Sequence, residues 1–299
     1  FLKSQLEILL KQTFANFEIV ISDNDPDASG KAVAESTNDA RVKYACNIQN
    51  LGMVESFNRS ISRAKGKYIV MVTDDDPVFE NMLSFFYELH IKYPGYLLYF
   101  GAKRSNKKPG EIEFIDKKDF IKEVLTPHLT PAIHWSSALL ERETLIKVGM
   151  LADYGSGHLV DHAMLALMGC QDGAVVINRE FSEIQHHESN YSKVNFENYY
   201  ISCKGFYDVL TAYFENDEDA ENKRKDVIVH LHYWFIACFF FFCRFYTVTG
   251  AATKQLLLEL DGTADKIMHL PYMGKCMVKY SAKKIFFCVK KNLGLLRSK

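Results

Sequence analysis

Three consecutive carboxylates, Asp74, Asp75 and Asp76, follow the apolar run Tyr68 to Thr73 in the segment YIVMVTDDDP. Side by side they repel one another, and withdrawal from water sharpens the penalty. A bound cation removes both costs. On an extended segment Asp74 and Asp76 point the same way and Asp75 points opposite, so the outer two are the pair suited to one ion. Oxygen donors select a hard divalent cation, Mg²⁺ or Mn²⁺, which commonly keeps substrate phosphates in the rest of its shell. The chemistry implied is neutralisation of a diphosphate. The other reading is an acidic loop in which Asp76 caps the next helix, with Pro77 at its first position. A second polar cluster, DNDPD from Asp23 to Asp27, follows EIVIS (Glu18 to Ser22). There Asp23 can accept from a base or a sugar, while Asn24 shares that task or closes an Asx-turn.

Both clusters need strands that end where they begin. Leu2, Leu6, Leu9 and Leu10 mark one face of a short helix, and Glu18 to Ser22 reads as a strand. A helix then reaches Ala40, Arg41 to Ala45 is a strand, and Glu55 to Ala64 is a helix stopped by Gly66. Tyr68 to Thr73 is expected as a strand buried on both faces. A helix from Asp76 to Tyr93 and a strand from Tyr96 to Phe100 complete an α/β alternation with a mostly parallel central sheet flanked by helices. Ligands of such sheets gather beyond the carboxyl ends of the strands, where both acidic clusters fall. AKRSNKKPG (Ala102 to Gly110) reads as an exposed basic connection and a domain boundary. Beyond it come a helix over Leu139 to Val148, a Gly-containing loop over Met150 to Leu159, a helix over Val160 to Met168 and a strand over Ala174 to Asn178.

The totals exclude several classes. The 299 residues are 48% apolar and 24% charged, and 36 Lys plus Arg against 37 Asp plus Glu give a net charge of −1. That is an ordinary soluble composition without the basic excess of a nucleic-acid binder. The seven scattered cysteines form no CxxC, which argues against structural zinc and for a reducing, cytoplasmic compartment. FLKSQLEILLKQTF reads as a helix rather than a secretory leader. An α/β domain normally opens on a strand, so the first strand is expected to be missing from this chain.

The stretches LLKQTFANFEIVISDN and NLGMVESFNRSISRAKGKYIVMVTDDD resemble the nucleotide-binding half of family 2 glycosyltransferases of the GT-A fold, the inverting enzymes of bacterial surface polysaccharide synthesis. The resemblance is strongest over residues 9–80 and diffuse to about residue 193. It implies an α/β GT-A fold divided into a nucleotide-sugar half (1–101), an acceptor half (102–193) and a helical C-terminal region (194–299). By the same resemblance Asp23 contacts the nucleobase, Asp74 lies near the ribose, and Asp76 holds the metal and diphosphate. Asn24 and Asp75 complete the donor-binding set. Asn50 and Gly52 shape the pocket wall, with Asn58 and Arg59 on the helix that follows; as turn formers, Asn50 and Gly52 also have a purely structural reading. The family's catalytic base ends a Glu-Asp pair opening a helix after a Gly-containing loop. Here LADYGSGHLVDHAMLALMG offers Asp161 for that role, with Val160 in place of Glu. Inverting transfer needs such a base within reach of the acceptor hydroxyl, and the alternative is a helix-cap Asp. His187 of IQHHESNYS matches a late family histidine that reaches a phosphate or the metal, its alternative being a solvated loop residue. Trp135 of IHWSS either stacks on an acceptor sugar or packs in the core. The implied substrates are a nucleoside-diphosphate sugar, UDP-linked by preference, and a saccharide or lipid-linked saccharide.

Two C-terminal features stand apart. The run Tyr233 to Cys243 is too short to span a bilayer and reads as a buried helix or a packing surface between subunits, with an interfacial segment as the other reading. From Leu270 to Lys299 there are eight Lys or Arg residues and no Asp or Glu. Lysines interleaved with Ile285, Phe286, Phe287 and Val289 fit a basic amphipathic helix on an anionic membrane, at the inner face of the plasma membrane. The alternative is a solvated helix docked on the core. Rival functions are nucleotidyl transfer, which wants a Gly-rich phosphate loop not visible here, and non-catalytic carbohydrate binding.

Overall fold

The computed structural model describes residues 1–104, 106–125, 135–183, 185, 197–249 and 254–292. They form two compact units, one of residues 1–153 and 160–187 and one of 154–159 and 188–299.

In the first unit, helix α1 (Leu2–Leu10) leads to β1 (Ile19–Asp23), and α2 (Lys31–Ser36) leads to β2 (Val42–Cys46). β1 and β2 pair in parallel, Ile19 opposite Val42 and Asp23 opposite Cys46. Then follow α3 (Met53–Arg63), β3 (Tyr68–Ile69), α4 (Met82–Lys92), β4 (Leu98–Gly101), β5 (Ile112–Ile115), β6 (Ala138–Glu141), α5 (Arg142–Lys147), α6 (Val160–Asp172) and β7 (Ala174–Ile177). β3 to β7 make a five-stranded sheet in the order β3-β6-β4-β7-β5.

The α/β layering is as expected, but the larger sheet is not mostly parallel. β4 and β7 pair in parallel, whereas β3–β6, β4–β6 and β5–β7 are antiparallel. A parallel return needs a long crossover. Among the described residues no helix lies between β4 and β5, so β5 runs antiparallel to β4, and β7 enters between them and pairs with both.

β3 is also shorter than expected. Beyond Ile69 the run leaves the ladder, and among Tyr68 to Thr73 only Met71 is fully buried, at 4% exposure. Its backbone is held by a side chain instead: Gln5 Nε2 donates to the carbonyls of Thr73 at 3.1 Å and Asp76 at 2.9 Å. Val70 and Val72 still pack on the core of Met82, Phe86, Tyr99, Val175 and Phe181. The helix expected from Asp76 begins at Met82, with Asn81 at its N-cap. The intervening backbone is committed elsewhere, since Phe79 N donates to Phe181 O and the Pro77 carbonyl accepts from Glu183 N, both at 2.9 Å.

Two further expectations change. Leu139–Glu141 is strand rather than helix, because a short apolar run buried on both faces carries no distinguishing period. AKRSNKKPG is exposed over most of its described residues, as expected, but it is anchored at two of them, Ala102 and Arg104. Arg104 is buried, its guanidinium 2.9 Å from Glu113 and donating to the Glu123 carbonyl at 2.7 Å. Asn178 gathers the carbonyls of Arg104, Lys107 and Lys108 on one amide. β4 and β5 on either side of this link therefore share a sheet.

The second unit is helical: α7 (Glu197–Tyr213), α8 (Ala220–Val248), α9 (Lys254–Met268) and α10 (Cys276–Asn292). The run Tyr233 to Cys243 sits in the middle of α8, whose 29 residues are long and apolar enough to cross a membrane by length and composition. Over half of that apolar window (56%) is buried within the protein, which fits the buried-helix reading. The acidic stretch before α8 has a task that its sequence hides: Asp217 pairs with the buried Lys223 ammonium.

Candidate functional site

Asp23, the last residue of β1, is engaged on both oxygens. Oδ1 accepts from Asp25 N at 3.0 Å, and Oδ2 accepts from Gly30 N at 2.9 Å and from the Tyr44 hydroxyl at 2.7 Å. Removal from solvent, then the adjacent Asp23 charge, raises the Tyr44 phenol well above its ordinary range, so it stays protonated and donating. A carboxylate has about four acceptor positions, which leaves Asp23 capacity for one more donor.

Asn24 clamps the next loop. Its Oδ1 accepts from Leu51 N at 2.9 Å, and its Nδ2 donates to Asn50 Oδ1 at 2.9 Å and to Gly52 O at 3.2 Å. Asn50 also accepts from Gly52 N at 2.9 Å. Gly52 has φ +79°, a left-handed conformation that favours glycine, and it delivers the chain into α3. Asn50 and Gly52 thus fix this loop through hydrogen bonds of their own. Farther along α3, Asn58 makes a reciprocal pair with Leu151, accepting from its N–H and donating to its carbonyl, both at 3.0 Å. Arg59 forms an exposed ion pair with Glu55.

Asp74 is exposed, whereas Asp75 and Asp76 are half-buried. Asp76 does not cap α4. Its Oδ2 accepts from Thr73 Oγ1 at 3.2 Å and its Oδ1 from Gln185 N at 2.9 Å. Among the described residues no three His, Cys, Asp or Glu side chains assemble into a closed metal site. A pair of carboxylates at a chain turn, completed by substrate oxygens and water, is the donor set that Mg²⁺ and Mn²⁺ accept, and Asp74 and Asp76 fit it in kind.

Helix α1 brings the two acidic clusters together. A Cβ at Gly30 would lie 2.9 Å from Asp23 Oδ2 and 3.0 Å from Leu2 Cδ2, while Gln5, three residues after Leu2, holds Thr73 and Asp76. Side chains three apart on a helix are neighbours, so one turn of α1 touches both clusters. Glu18, just ahead of β1, adds a second tie by accepting from Lys65 N at 2.6 Å and Gly66 N at 3.1 Å.

Asp161 lies in the first turn of α6, half-buried, with Oδ1 accepting from His162 N at 2.9 Å. The His162 imidazole is 4.0 Å from the same oxygen. Burial pushes its pKa down to about 3, so it is neutral at pH 7. Trp135 is 8% exposed, its ring against Phe57 at 4.6 Å between centroids; the geometry gives it core packing. His187 lies outside the described residues, two positions after Gln185.

Sequence reasoning missed Gln5, Gln12, Tyr44 and Gln185. Gln5 and Gln12 had a signal, as polar residues on and just after the leucine face of α1; both are buried, and Gln12 grips Phe79 O at 2.7 Å and Leu83 N at 3.0 Å. Gln185 acts through its backbone, which no residue type announces.

A family model described as Glycosyl transferase family 2 matches residues 1–149. Glycosyltransferase GlyG of Streptococcus pneumoniae serotype 4 is 39% identical over 85 residues, 28% of this chain and 28% of that protein. The match thus spans well under two thirds of that relative's length. Among solved structures, S. aureus TarS 1-349 in complex with UDP-GlcNAc superposes with TM-score 0.62 at 15% identity, covering 91% of this chain and 78% of that one. Mannosyltransferase PcManGT from Pyrobaculum calidifontis, in complex with GDP-Man and Mn²⁺, gives TM-score 0.52 at 16% identity, covering 97% and 82%. At such identity the likeness is one of fold.

Proposed function

The chain belongs, over residues 1–149, to glycosyl transferase family 2 and has the GT-A fold, and on that premise we propose that it is a metal-dependent, inverting glycosyltransferase. Its donor is a nucleoside-diphosphate sugar, UDP-linked by preference, and its acceptor a saccharide or lipid-linked saccharide at the cytoplasmic face of the membrane. The observation that carries the reading is that one turn of α1 touches both the turn at the end of β1, through Leu2, and the backbone of Asp74–Asp76, through Gln5.

In this reading the base of the nucleotide lies against the Asp23–Asn24 turn, where the remaining acceptor position of Asp23 meets a base N–H. Asp74 and Asp76 hold the divalent cation, Asp75 lines the donor subsite, and His187 completes the shell or touches a phosphate. The cation, when bound, supplies charge neutralisation for the departing diphosphate. Asp161 takes the proton from the acceptor hydroxyl, which attacks the anomeric carbon from the face opposite the diphosphate and inverts it. The neutral His162 beside it adds no positive charge that would quench its basicity. Trp135 supports the site as packing under α3 rather than as a sugar platform.

The test is release of nucleoside diphosphate from UDP-, GDP- and dTDP-sugars with Mn²⁺ or Mg²⁺ and a saccharide acceptor. Pyrophosphate release instead would point to nucleotidyl transfer. No turnover with any donor, but saturable saccharide binding, would leave a binding protein of this fold.

A further inference from the structure

Helix α10 carries two apolar faces on opposite sides. At about 3.6 residues per turn, Cys276, Tyr280, Lys284 and Phe287 line one side, and Cys276 and Tyr280 there are buried. That side rests on α8: the Tyr280 ring lies 5.2 Å from Phe239 and 5.9 Å from both Phe235 and Phe240, and Phe287 lies 6.0 Å from Phe240. Lys284 closes the contact with a 2.7 Å ion pair to Asp261 of α9. The docking that a soluble helix requires is thereby complete.

The opposite side repeats apolar residues at i, i+7 and i+11 (Val278, Ile285 and Val289), with Ala282 between and Phe286 beside them. Their exposure is large: 77% for Val278, 67% for Ile285, 58% for Phe286 and 50% for Val289. Lys279, Lys283 and Lys290 border one edge of this stripe, whereas Lys284 and Lys291 fall toward the docked side at this helical spacing, the Lys284 ammonium being committed to Asp261. No Asp or Glu occurs from Leu270 to Lys299.

We propose that this outer face of α10 lies in the surface of an anionic lipid bilayer, with Val278, Ile285, Phe286 and Val289 among the upper acyl chains and the bordering lysines at the phosphates. The charge pattern selects that occupant. A second copy of α10 docked face to face would bring lysines against lysines with no acid between them, a repulsive pairing. An anionic bilayer offers apolar depth for the stripe and negative headgroups for its lysine edge at the spacing of one helix. The Lys290 ammonium lies 4.5 Å over Phe286, beside the stripe itself, whereas those of Lys279 and Lys283 rest over Tyr233 and Phe240 of α8 at 3.9 and 5.1 Å; their flexible four-carbon stems allow both to turn outward to a headgroup layer. The proposal is independent of sugar transfer.

The full chain is sedimented with phosphatidylcholine vesicles containing or lacking phosphatidylglycerol, at about 0.15 M salt. Expected is binding that rises with the anionic fraction and falls with salt. Lys290→Gln with Lys291→Gln should weaken it by about fivefold per lysine. Ile285→Ser with Val289→Ser should weaken it by about tenfold or more while circular dichroism stays unchanged, since both side chains already face water. Equal binding to neutral vesicles, no binding to anionic ones, or retention by the Ile285/Val289 variant overturns the proposal. So does loss of self-association, without any effect on vesicles, in that same variant.

Discussion

At the scale of single residues, the site separates groups that are held from groups with spare capacity. Asp23 fixes its own turn through Gly30 and Tyr44 and keeps one acceptor position, so Asp23→Asn should act on both folding and donor affinity. Asp76 is different, because its partners are one threonine hydroxyl and one backbone N–H. We expect Asp76→Ala to lower turnover by about a thousandfold or more, with donor binding no longer responsive to Mn²⁺ in calorimetry. Asp161→Asn should lower kcat by about 10²- to 10⁴-fold while leaving the donor Kd within about twofold. A fall in donor affinity equal to the fall in kcat would remove Asp161 from the acceptor side. The acidic triplet was legible in the sequence because like charges crowd together only where something offsets them. The Gln185 amide on Asp76 was not, since every residue type has a backbone N–H.

At the scale of elements, α1 and α3 do the positioning, and each does it through amides. Gln5 and Gln12 substitute side-chain donors for a strand partner along residues 73–79, whereas Asn24, Asn50 and Asn58 fasten α3 at its start and middle. Asn58→Ala removes both bonds to Leu151 and should cost about 1–3 kcal/mol in urea unfolding. Gly52→Ala meets no atom within 4 Å, so its cost is the backbone, whose φ of 79° and ψ of 169° only glycine adopts readily, about 1–3 kcal/mol. An unchanged unfolding midpoint in both variants would show that the loop is not fastened there. The helices were largely readable, as their 3.6-residue period survives in the sequence. The strands were read by position but not by direction or length. Strand direction follows from which segments return without a crossover, and beyond β3 the chain is held by Gln5, far away in sequence, at Thr73 and Asp76.

At the scale of the whole molecule, the buried His162 and the half-buried, desolvated His158 couple stability to pH, one in each compact unit. Burial lowers His162 to about 3 and His158 to about 4, against about 6.5 for a free imidazole. The unfolded chain therefore takes up protons first as pH falls. The stability these groups contribute is complete above about pH 6.5 and declines as pH drops toward their folded values, by up to about 1.4 kcal/mol per pH unit per histidine. Unfolding free energies from pH 8 to pH 5 should show this slope. His162→Gln should flatten it by about one proton, whatever it does to the absolute stability; an unaltered slope would mean His162 titrates normally in the folded protein.

Composition, period and charge were enough to establish an α/β protein, two acidic clusters after apolar runs, and a basic C-terminal helix, while the helical region as a whole came from the family resemblance. Those are properties of near neighbours along the chain, where each residue's type constrains the next few. Which strand lies beside which, that Arg104 is buried rather than exposed, and that α10 is docked on one face while leaving the other bare, depend on contacts between residues far apart in sequence. No local pattern encodes such contacts, because they arise only when folding brings separate segments to a common surface and each unsatisfied group takes the nearest partner.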